Sequence, residues 1–202
     1  MKKTVCFREF EERDIDFIYK CKNDEKLNSM IVGQWHPFTY EEAAKWVHGC
    51  MGMHDTYKFW AICTNDEEKR ILGWTALSDI DNVNKSACTH SLVIADSDYN
   101  DGFAWIEAGY FLLEYAFDVL HLHRLHGVSL VGHNMSNKVA DLFFYQVEGI
   151  MRQAAYKNNR YYDLQYIGIL EDEFFAHRDA GDYDMMKTIR RLRKIIKQEK
   201  NQ

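Results

Sequence analysis

The sequence predicts an α/β (α+β) fold, in which a layered sheet is flanked by helices. The 202-residue chain is 47% hydrophobic and 28% charged, which supplies enough apolar surface for one buried core and excludes a disordered polymer. Segments with strand periodicity alternate with segments of helical periodicity, the pattern of a layered α/β sheet. Pro37 is the only proline, and no Gly/Ser-rich linker or repeat interrupts the middle, so we expect one compact domain.

Strands are predicted where apolar, β-branched and aromatic residues cluster between turn residues. The predicted strands are Thr4–Phe10, Tyr57–Thr64, Arg70–Leu77, Ala87–Ile94, Leu125–Val131, Val147–Ala155 and Tyr161–Leu170. Helices are predicted where apolar residues recur at one-turn intervals. They are Glu12–Asn23, a helix that starts at Thr39 and continues through Ala43–Met51, Trp105–Leu120 and Asn137–Tyr145.

The C-terminal end of the chain has a different composition. From Asp182 onward it is polar and basic, and Ile189, Leu192 and Ile195 recur at helical spacing. This pattern predicts an amphipathic basic helix. We therefore expect a domain at residues 1–176 and a tail at 177–202. The tail helix packs on the domain, mediates a homodimer or contacts an acidic partner, and the first two are favoured.

Net charge and cysteine content limit the classes of binding partner and the cellular compartment. The chain has 25 Lys and Arg against 31 Asp and Glu, a net charge of -6, which argues against nucleic acid and favours cationic substrates such as amines. No stretch reaches the ~20 apolar residues that span a bilayer, and the polar N-terminus does not fit a signal peptide. The five cysteines are scattered, as in a cytoplasmic protein with reduced thiols. We therefore expect a cytoplasmic protein without a membrane partner.

Three histidines lie close together, at positions 121, 123 and 126. In a strand, His121 and His123 would share one face and His126 would lie on the other. No cysteine or carboxylate completes a ligand set at the usual spacing. The sequence therefore predicts no metal site.

Several stretches occur in the order and near the spacing of one known family. They are Phe7–Phe10 with Arg13 and Asp14, Pro37–Ala43 with Trp46, Gly73–Asp81, His123–Leu125, Ser136–Asp141, Glu148–Gln153 and Tyr156–Asp163. Together they resemble the GNAT acyltransferases, in particular the RimJ/RimL-like branch. The similarity extends from about Val5 to Phe174, nearly the whole domain.

This resemblance implies a mixed, mostly antiparallel sheet with helices on both faces. It also implies transfer of an acetyl group from acetyl-CoA to a primary amine by direct attack, with no covalent enzyme intermediate. The acceptor is a polyamine, an amino sugar or a protein N-terminus. Backbone N–H groups at a helix N-terminus would hold the pyrophosphate. The pantetheine arm would pair with a splayed strand at Leu92, Val93 and Ile94.

The pyrophosphate loop departs from the family pattern Arg/Gln-x-x-Gly-x-Gly/Ala. This chain reads Tyr99-Asn100-Asp101-Gly102-Phe103-Ala104-Trp105. In one register Gly102 and Ala104 take the last two positions; in the other every glycine is lost and Trp105 stands where a glycine belongs. The resemblance implies coenzyme contacts from Gly102, Phe103, Ala104 and Trp105, and from Asn134 and Asn137.

Asp101 would place a negative charge close to the phosphates. The altered loop therefore motivates a rival hypothesis, a catalytically inactive GNAT-fold binding or assembly protein. A weaker alternative is a different nucleotide-type ligand in the same cleft.

Several residues are candidates for each of the two proton transfers. For protonation of the departing thiolate the sequence offers Ser136, which also suits a helix N-cap, and Tyr145, which also suits the core. For deprotonation of the amine the candidates are Asp79, Asp81, His90 and Glu148, or a water relay. His90 is as readily a sheet histidine.

The acceptor pocket is expected to have aromatic walls. Its candidate residues are Trp35, His36, Phe38, Tyr40 and Trp74, with Asp79. Aromatic residues at these positions suit the hydrophobic core equally well.

Overall fold

The fold was analysed on a computed structural model that describes residues 4–29, 31–32, 35–52, 54–99, 102–132 and 134–199. Its strands are β1 (Val5–Arg8), β2 (Lys58–Thr64), β3 (Ile71–Asp81), β4 (Ser86–Ile94), β5 (Arg124–Leu130), β6 (Gln146–Lys157) and β7 (Arg160–Leu170). Its α-helices are α1 (Ile15–Lys22), α2 (Glu25–Asn28), α3 (Tyr40–Cys50), α4 (Phe103–Glu114), α5 (Asn134–Leu142), α6 (Glu171–Asp179) and α7 (Met185–Glu199). No helix within these ranges is both long and apolar enough to cross a membrane.

The strands form one seven-stranded sheet in the order β1-β2-β3-β4-β5-β7-β6. Every neighbouring pair is antiparallel except β4 and β5, which are parallel. One hydrophobic cluster joins the sheet to α4, α5, α6 and α7, and a second joins it to α1 and α3. The predicted mixed, mostly antiparallel sheet with helices on both faces is confirmed.

Local backbone conformation corrects the predicted ends of two helices. The predicted helix Asn137–Tyr145 begins earlier, at Asn134, and ends at Leu142, because Phe144 takes a left-handed conformation with φ +63°. The predicted helix Trp105–Leu120 begins at Phe103, and its α-helical part ends at Glu114. A π-helical turn follows, in which the N–H of Leu120 donates to the carbonyl of Tyr115.

The N-terminal and hairpin predictions also need correction. A 3-10 turn, Glu12–Asp14, precedes α1, so the first α-helix is shorter than predicted. The β6–β7 hairpin is longer than predicted because Asn158 and Asn159 both adopt positive φ, as a two-residue type I′ turn requires. The hairpin tip reaches α2, where the buried Lys157 Nζ donates to the carbonyl of Asn28 at 3.2 Å.

Two helices were absent from the sequence prediction. They are α2 and α6, and α6 has three acids in its first turn. Residue 176, the predicted domain boundary, falls inside α6. The basic helix α7 is confirmed as a helix that packs on the domain, since Ile189 is 7% exposed in the core and Leu192 and Ile195 pack beside it.

The histidine segment enters a strand only at its C-terminal end. His121 has φ +50° in the turn before β5, and β5 starts only at Arg124. Of the three histidines, His126 alone is therefore in a strand. Within the described residues, no group of three or more His, Cys, Asp or Glu side chains is placed to hold a metal ion.

Candidate active site

The two parallel strands at the centre of the sheet separate after three residue pairs. Ser86, Ala87 and Cys88 of β4 pair with Arg124, Leu125 and His126 of β5. Beyond Cys88, the described part of β4 pairs with β3 alone and the rest of β5 pairs with β7. Backbone groups on the facing edges of β4 and β5 are therefore left for a ligand that adds to the sheet.

A bulge in β4 accompanies this separation. Ser91 has φ +57°, and its neighbours His90 and Leu92 pair with consecutive residues of β3. The Thr75 hydroxyl donates to the Ser91 carbonyl at 3.0 Å and holds the bulge in place. Because bulges bend a strand and increase its twist, this one directs the C-terminal half of β4 away from β5.

The N-terminus of α4 lies beside the separated half of β4. Leu92 and Ile94 pack with Ala104 and Ala108 in one hydrophobic cluster. Gly102 precedes the helix with φ +95°, and a Cβ there would lie 2.7 Å from Leu192 Cδ2 of α7. N–H groups of a first helical turn have no intrahelical acceptor and carry partial positive charge. The gap between the strands therefore ends at an anion-compatible helix terminus.

Trp105 is half-buried and packs against the hydrophobic cluster that Val5, Ile62, Leu72 and Ile94 of the sheet form with Ala104 and Ala108 of α4. The indole thus belongs to the hydrophobic layer under α4. The predictions for Asn100 and Asp101 fall outside the described residues.

A large cavity opens on the face of the sheet that carries α3. Its volume is about 640 Å³. Its lining residues are Phe38, Glu42, Lys45, Trp46, Gly49, Cys50, Thr56, Tyr57, Phe59, Ser78 and Asp79. Four of these eleven residues are aromatic, and the charged ones are Glu42, Asp79 and Lys45.

Both carboxyl groups of the cavity are held by neighbouring groups. Glu42 accepts from the backbone N–H of Thr39 at 2.7 Å in a capping box, and this bond lowers the pKa of the Glu42 carboxyl. The Ser78 hydroxyl donates to Asp79 at 3.1 Å. Asp79 has φ +50° and lies at an irregularity of the β3–β4 pairing. This irregularity turns its exposed side chain to the cavity.

Phe38 and Trp46 of the cavity wall also contact the ammonium group of Lys22, which lines a second, smaller cavity. The Lys22 Nζ lies 4.5 Å from the ring centroid of Trp46, 5.4 Å from that of Trp74 and 5.7 Å from that of Phe38. We call these three rings the aromatic cage. Burial lowers the pKa of Lys22. Ring faces within about 6 Å of an ammonium attract it electrostatically, so these rings stabilise the Lys22 charge.

A chain of polar groups marks the point where β4 and β5 part. The Thr89 hydroxyl donates to the carbonyl of His126 at 3.1 Å. The phenol of Tyr145 hydrogen-bonds to the same hydroxyl, and burial raises the pKa of Tyr145. His126 is half-buried, and its burial lowers the pKa of the imidazole.

Comparison with known proteins identifies this architecture. The family model described as the acetyltransferase (GNAT) domain matches residues 4–141. This chain belongs to the GNAT acetyltransferase family. It is an acyltransferase that transfers an acetyl group to an amine, as the resemblance implied.

The following relatives of this GNAT acetyltransferase have sequence identities of 21% to 23% with it. The spermidine N(1)-acetyltransferase of Vibrio cholerae is 23% identical over 176 residues, which is 86% of this chain and 97% of the relative. The structure of the V. cholerae spermidine N-acetyltransferase in complex with CoA and spermine has a TM-score of 0.73 at 22% identity, covering 86% and 99% of the two chains.

A GCN5-related N-acetyltransferase from Brucella melitensis gives a TM-score of 0.74 at 21% identity, over 92% of this chain and 84% of that one. These structures share the GNAT fold with this chain.

The predicted coenzyme residues of the GNAT domain fall into two groups. Leu92, Ile94, Gly102, Phe103, Ala104 and Trp105 come together at the α4 end of the gap. Val93 packs on the opposite face of the sheet, against the α1–α3 cluster. Asn137 is bound to β7, where its Oδ1 accepts from Gln165 at 3.3 Å. The side chain of Asn134 lies outside the described positions.

The predicted acceptor residues of the GNAT domain separate as well. Phe38 and Asp79 line the large cavity. Trp74 is 2% exposed and does not line the large cavity. Its ring makes an edge contact with Trp46, so it supports the cavity wall from within the core. Trp35 lines a second cavity, of about 130 Å³, where its Nε1 donates to the Lys22 carbonyl at 2.8 Å.

The predicted catalytic residues do not all meet. Tyr145 hydrogen-bonds to Thr89, the residue of β4 at which β4 and β5 separate. Ser136 is the third residue of α5, inside its first turn, so the alternative of Ser136 as an N-cap is wrong. Glu148 pairs with Arg124, and Asp81 caps a turn by accepting from the backbone of Val83 at 2.8 Å. The side chain of His90 is outside the described residues, and its role stays a prediction.

Sequence reasoning missed Lys22, Trp46, Tyr57, Phe59, Thr89 and His126. Thr89 and His126 could have been found from the sequence, because both lie in strands that the sequence predicts. The sequence around Lys22 gave no such indication, because the three rings of the aromatic cage come from separate segments of the chain.

Proposed function

We propose that this GNAT enzyme acetylates a polyamine-like substrate, with acetyl-CoA as the acetyl donor. The observation that carries the proposal is the position of the large cavity. Ser78, one of its lining residues, pairs with Cys88, the residue of β4 at which the β4–β5 gap begins. An amine in the cavity and a thioester in the gap would meet there.

The chemistry of the cavity supports a cationic acceptor with more than one ammonium group. Aromatic faces and carboxylates are the groups that bind ammonium ions. Asp79 lies on β3 and Glu42 on α3, so two ammonium groups of one extended molecule would each have a carboxylate partner. The relative from V. cholerae is named for spermidine and its solved complex contains spermine. An amino sugar and a protein N-terminus are the other acceptors to be compared.

The gap and the start of α4 fit the donor. The unpaired edges of β4 and β5 suit the amide groups of the pantetheine arm. Gly102 lets the backbone turn into α4 without a Cβ, and the first turn of α4 suits the pyrophosphate. With Gly102 before the helix and the buried Ala104 inside it, the structure favours the register in which these two residues take the glycine positions.

The residues of the chain then have separate tasks. The aromatic wall and Asp79 orient the amine, and its nitrogen attacks the thioester carbonyl directly. The bond to nitrogen forms as the bond to sulfur breaks, and the thiolate takes up a proton. Tyr145, on the helix side of the gap, is our proposed donor of that proton.

One titration and one product assay test the function. Calorimetry with CoA is expected to show binding, and mass spectrometry is expected to show monoacetylated spermidine in preference to an acetylated amino sugar or peptide. Absence of CoA binding at millimolar ligand would favour the inactive binding-protein hypothesis. The RimJ/RimL-like branch and a homodimer remain predictions, and light scattering with and without residues 182–202 checks the second.

The Asp79→Asn substitution tests the acceptor site. Because Asp79 would bind one ammonium of a polyamine, we expect KM for spermidine to rise about tenfold, equivalent to about 1.4 kcal/mol. KM for acetyl-CoA should stay the same. Steady-state kinetics with both substrates make the measurement.

The matched control is Glu41→Gln, which removes an exposed charge next to Glu42 on α3. Glu41 does not line the cavity. An equal rise of KM in both variants would mean that general surface charge, and not Asp79, attracts the polyamine.

A further inference from the structure

Three residues that pair across three strands share the cavity face of the sheet. Ser78 of β3 pairs with Cys88 of β4, and Cys88 pairs with His126 of β5. Directly opposed residues on neighbouring strands project to the same face. Since Ser78 lines the large cavity, the imidazole of His126 also lies on the cavity face.

His126 stands at the base of the gap. Cys88–His126 is the last residue pair that joins β4 to β5. Thr89, the next residue of β4, projects to the other face, where its hydroxyl meets Tyr145. Tyr145 packs there with the cluster under α4 and α5. The base of the gap thus has an imidazole on the acceptor side and a phenol on the helix side.

The charged groups around His126 leave the imidazole in its neutral form. Burial and the neighbouring Arg124 lower the pKa of His126 below its usual 6.5, and Asp79 and Glu148 raise it by less. Arg124 is held by Glu148 of β6 in a paired ion bridge. The thiol of Cys88, whose pKa is raised by burial, adds no charge at neutral pH. A neutral imidazole beside an incoming ammonium is able to accept its proton.

We propose that His126 is the general base of the acetyl transfer. This assignment rests on the proposed function and adds a catalytic residue to it. The imidazole takes one proton from the acceptor ammonium and passes it to solvent. The free amine forms the bond to the carbonyl carbon, and the carbon–sulfur bond breaks with its electron pair on sulfur. The attacking nitrogen gives its second proton to solvent, the thiolate takes a proton from Tyr145, and the Tyr145 phenolate regains one from solvent.

The His126→Gln variant tests the assignment. With saturating acetyl-CoA and spermidine, we expect kcat to fall by about 10²-fold or more, the contribution of a general base. The wild-type rate should decline at acidic pH as the imidazole is protonated, and this limb should disappear in the variant between about pH 5.5 and pH 9. Calorimetry should give an unchanged affinity for CoA.

The matched control is His123→Gln. The His123 side chain is 64% exposed and precedes β5, so it has no place in the Ser78–Cys88–His126 row, and the variant should keep the wild-type kcat and the acidic limb. A second variant, His126→Ala, guards against a folding defect, because added imidazole should restore part of its activity.

Two results would overturn the assignment in different ways. If the wild-type enzyme turns over spermidine and His126→Gln retains its kcat within threefold with the acidic limb intact, His126 is not the base. If the wild-type enzyme binds CoA and acetylates no amine, the proposed function is wrong, and the assignment of His126 as its general base is wrong too.

Discussion

Gly73→Ala should lower the free energy of unfolding by about 3 kcal/mol, at the upper end of what overpacking costs. A Cβ at Gly73 would lie 1.9 Å from the carbonyl oxygen of Val93 and 2.8 Å from its carbonyl carbon. Both contacts are with backbone, which has no rotamer to move aside. β3 and β4 would have to separate at the place where β4 borders the gap. Urea unfolding followed by circular dichroism measures the change.

The control for Gly73→Ala is Gly149→Ala, a second glycine in a strand. A Cβ at Gly149 meets no atom within 4 Å. We expect its variant to be unchanged or more stable by up to about 1 kcal/mol, because alanine loses less backbone entropy than glycine. Equal destabilisation in the two variants would contradict the close approach of β3 and β4.

The second large effect is expected for Asp14→Ala. Asp14 is 1% exposed and binds both terminal nitrogens of Arg8, at 2.7 and 2.8 Å. It also accepts from the backbone N–H of Glu11 at 2.9 Å. Removing Asp14 leaves the largely buried Arg8 charge with only the longer contact to Glu11, at 3.6 Å, and breaking a buried ion pair costs about 3–5 kcal/mol. The free energy of unfolding in urea is again the measurement.

Two comparisons sharpen this prediction. Asp16→Ala removes an exposed acid that accepts from the Tyr40 hydroxyl at 2.9 Å, and we expect a loss of no more than about 1 kcal/mol. The double variant Arg8→Met with Asp14→Ala removes both charges and should regain most of the stability. A double variant as unstable as Asp14→Ala alone would show that packing, and not the unpaired charge, causes the loss.

Most of the sheet was predictable because strand signals are local. β-branched and aromatic residues between turns marked each strand, and the predicted centres are confirmed. The ends were less predictable, since they depend on single backbone conformations. The left-handed Phe144 ends α5 early, and the two positive φ values at Asn158 and Asn159 extend the β6–β7 hairpin.

The candidate site was predictable only in part. Phe38, Asp79 and Gly102 were predicted, and the structure places the first two at the cavity and the third at the start of α4. Trp74 was expected to face the acceptor and instead lies behind Trp46. An aromatic side chain has the same sequence signature whether it lines a cavity or supports its wall.

By itself, the sequence determined the type and order of most secondary-structure elements and the family, because these follow from local periodicity and from motifs in one order. The tertiary structure alone decided which faces and charges meet. Lys22 enters the aromatic cage, and His126 shares the cavity face with Ser78, through contacts between distant segments. The Lys22 contacts depend on how α1 packs beside α3 and β3, and the position of His126 depends on strand register. A register shift of one residue would turn His126 to the opposite face.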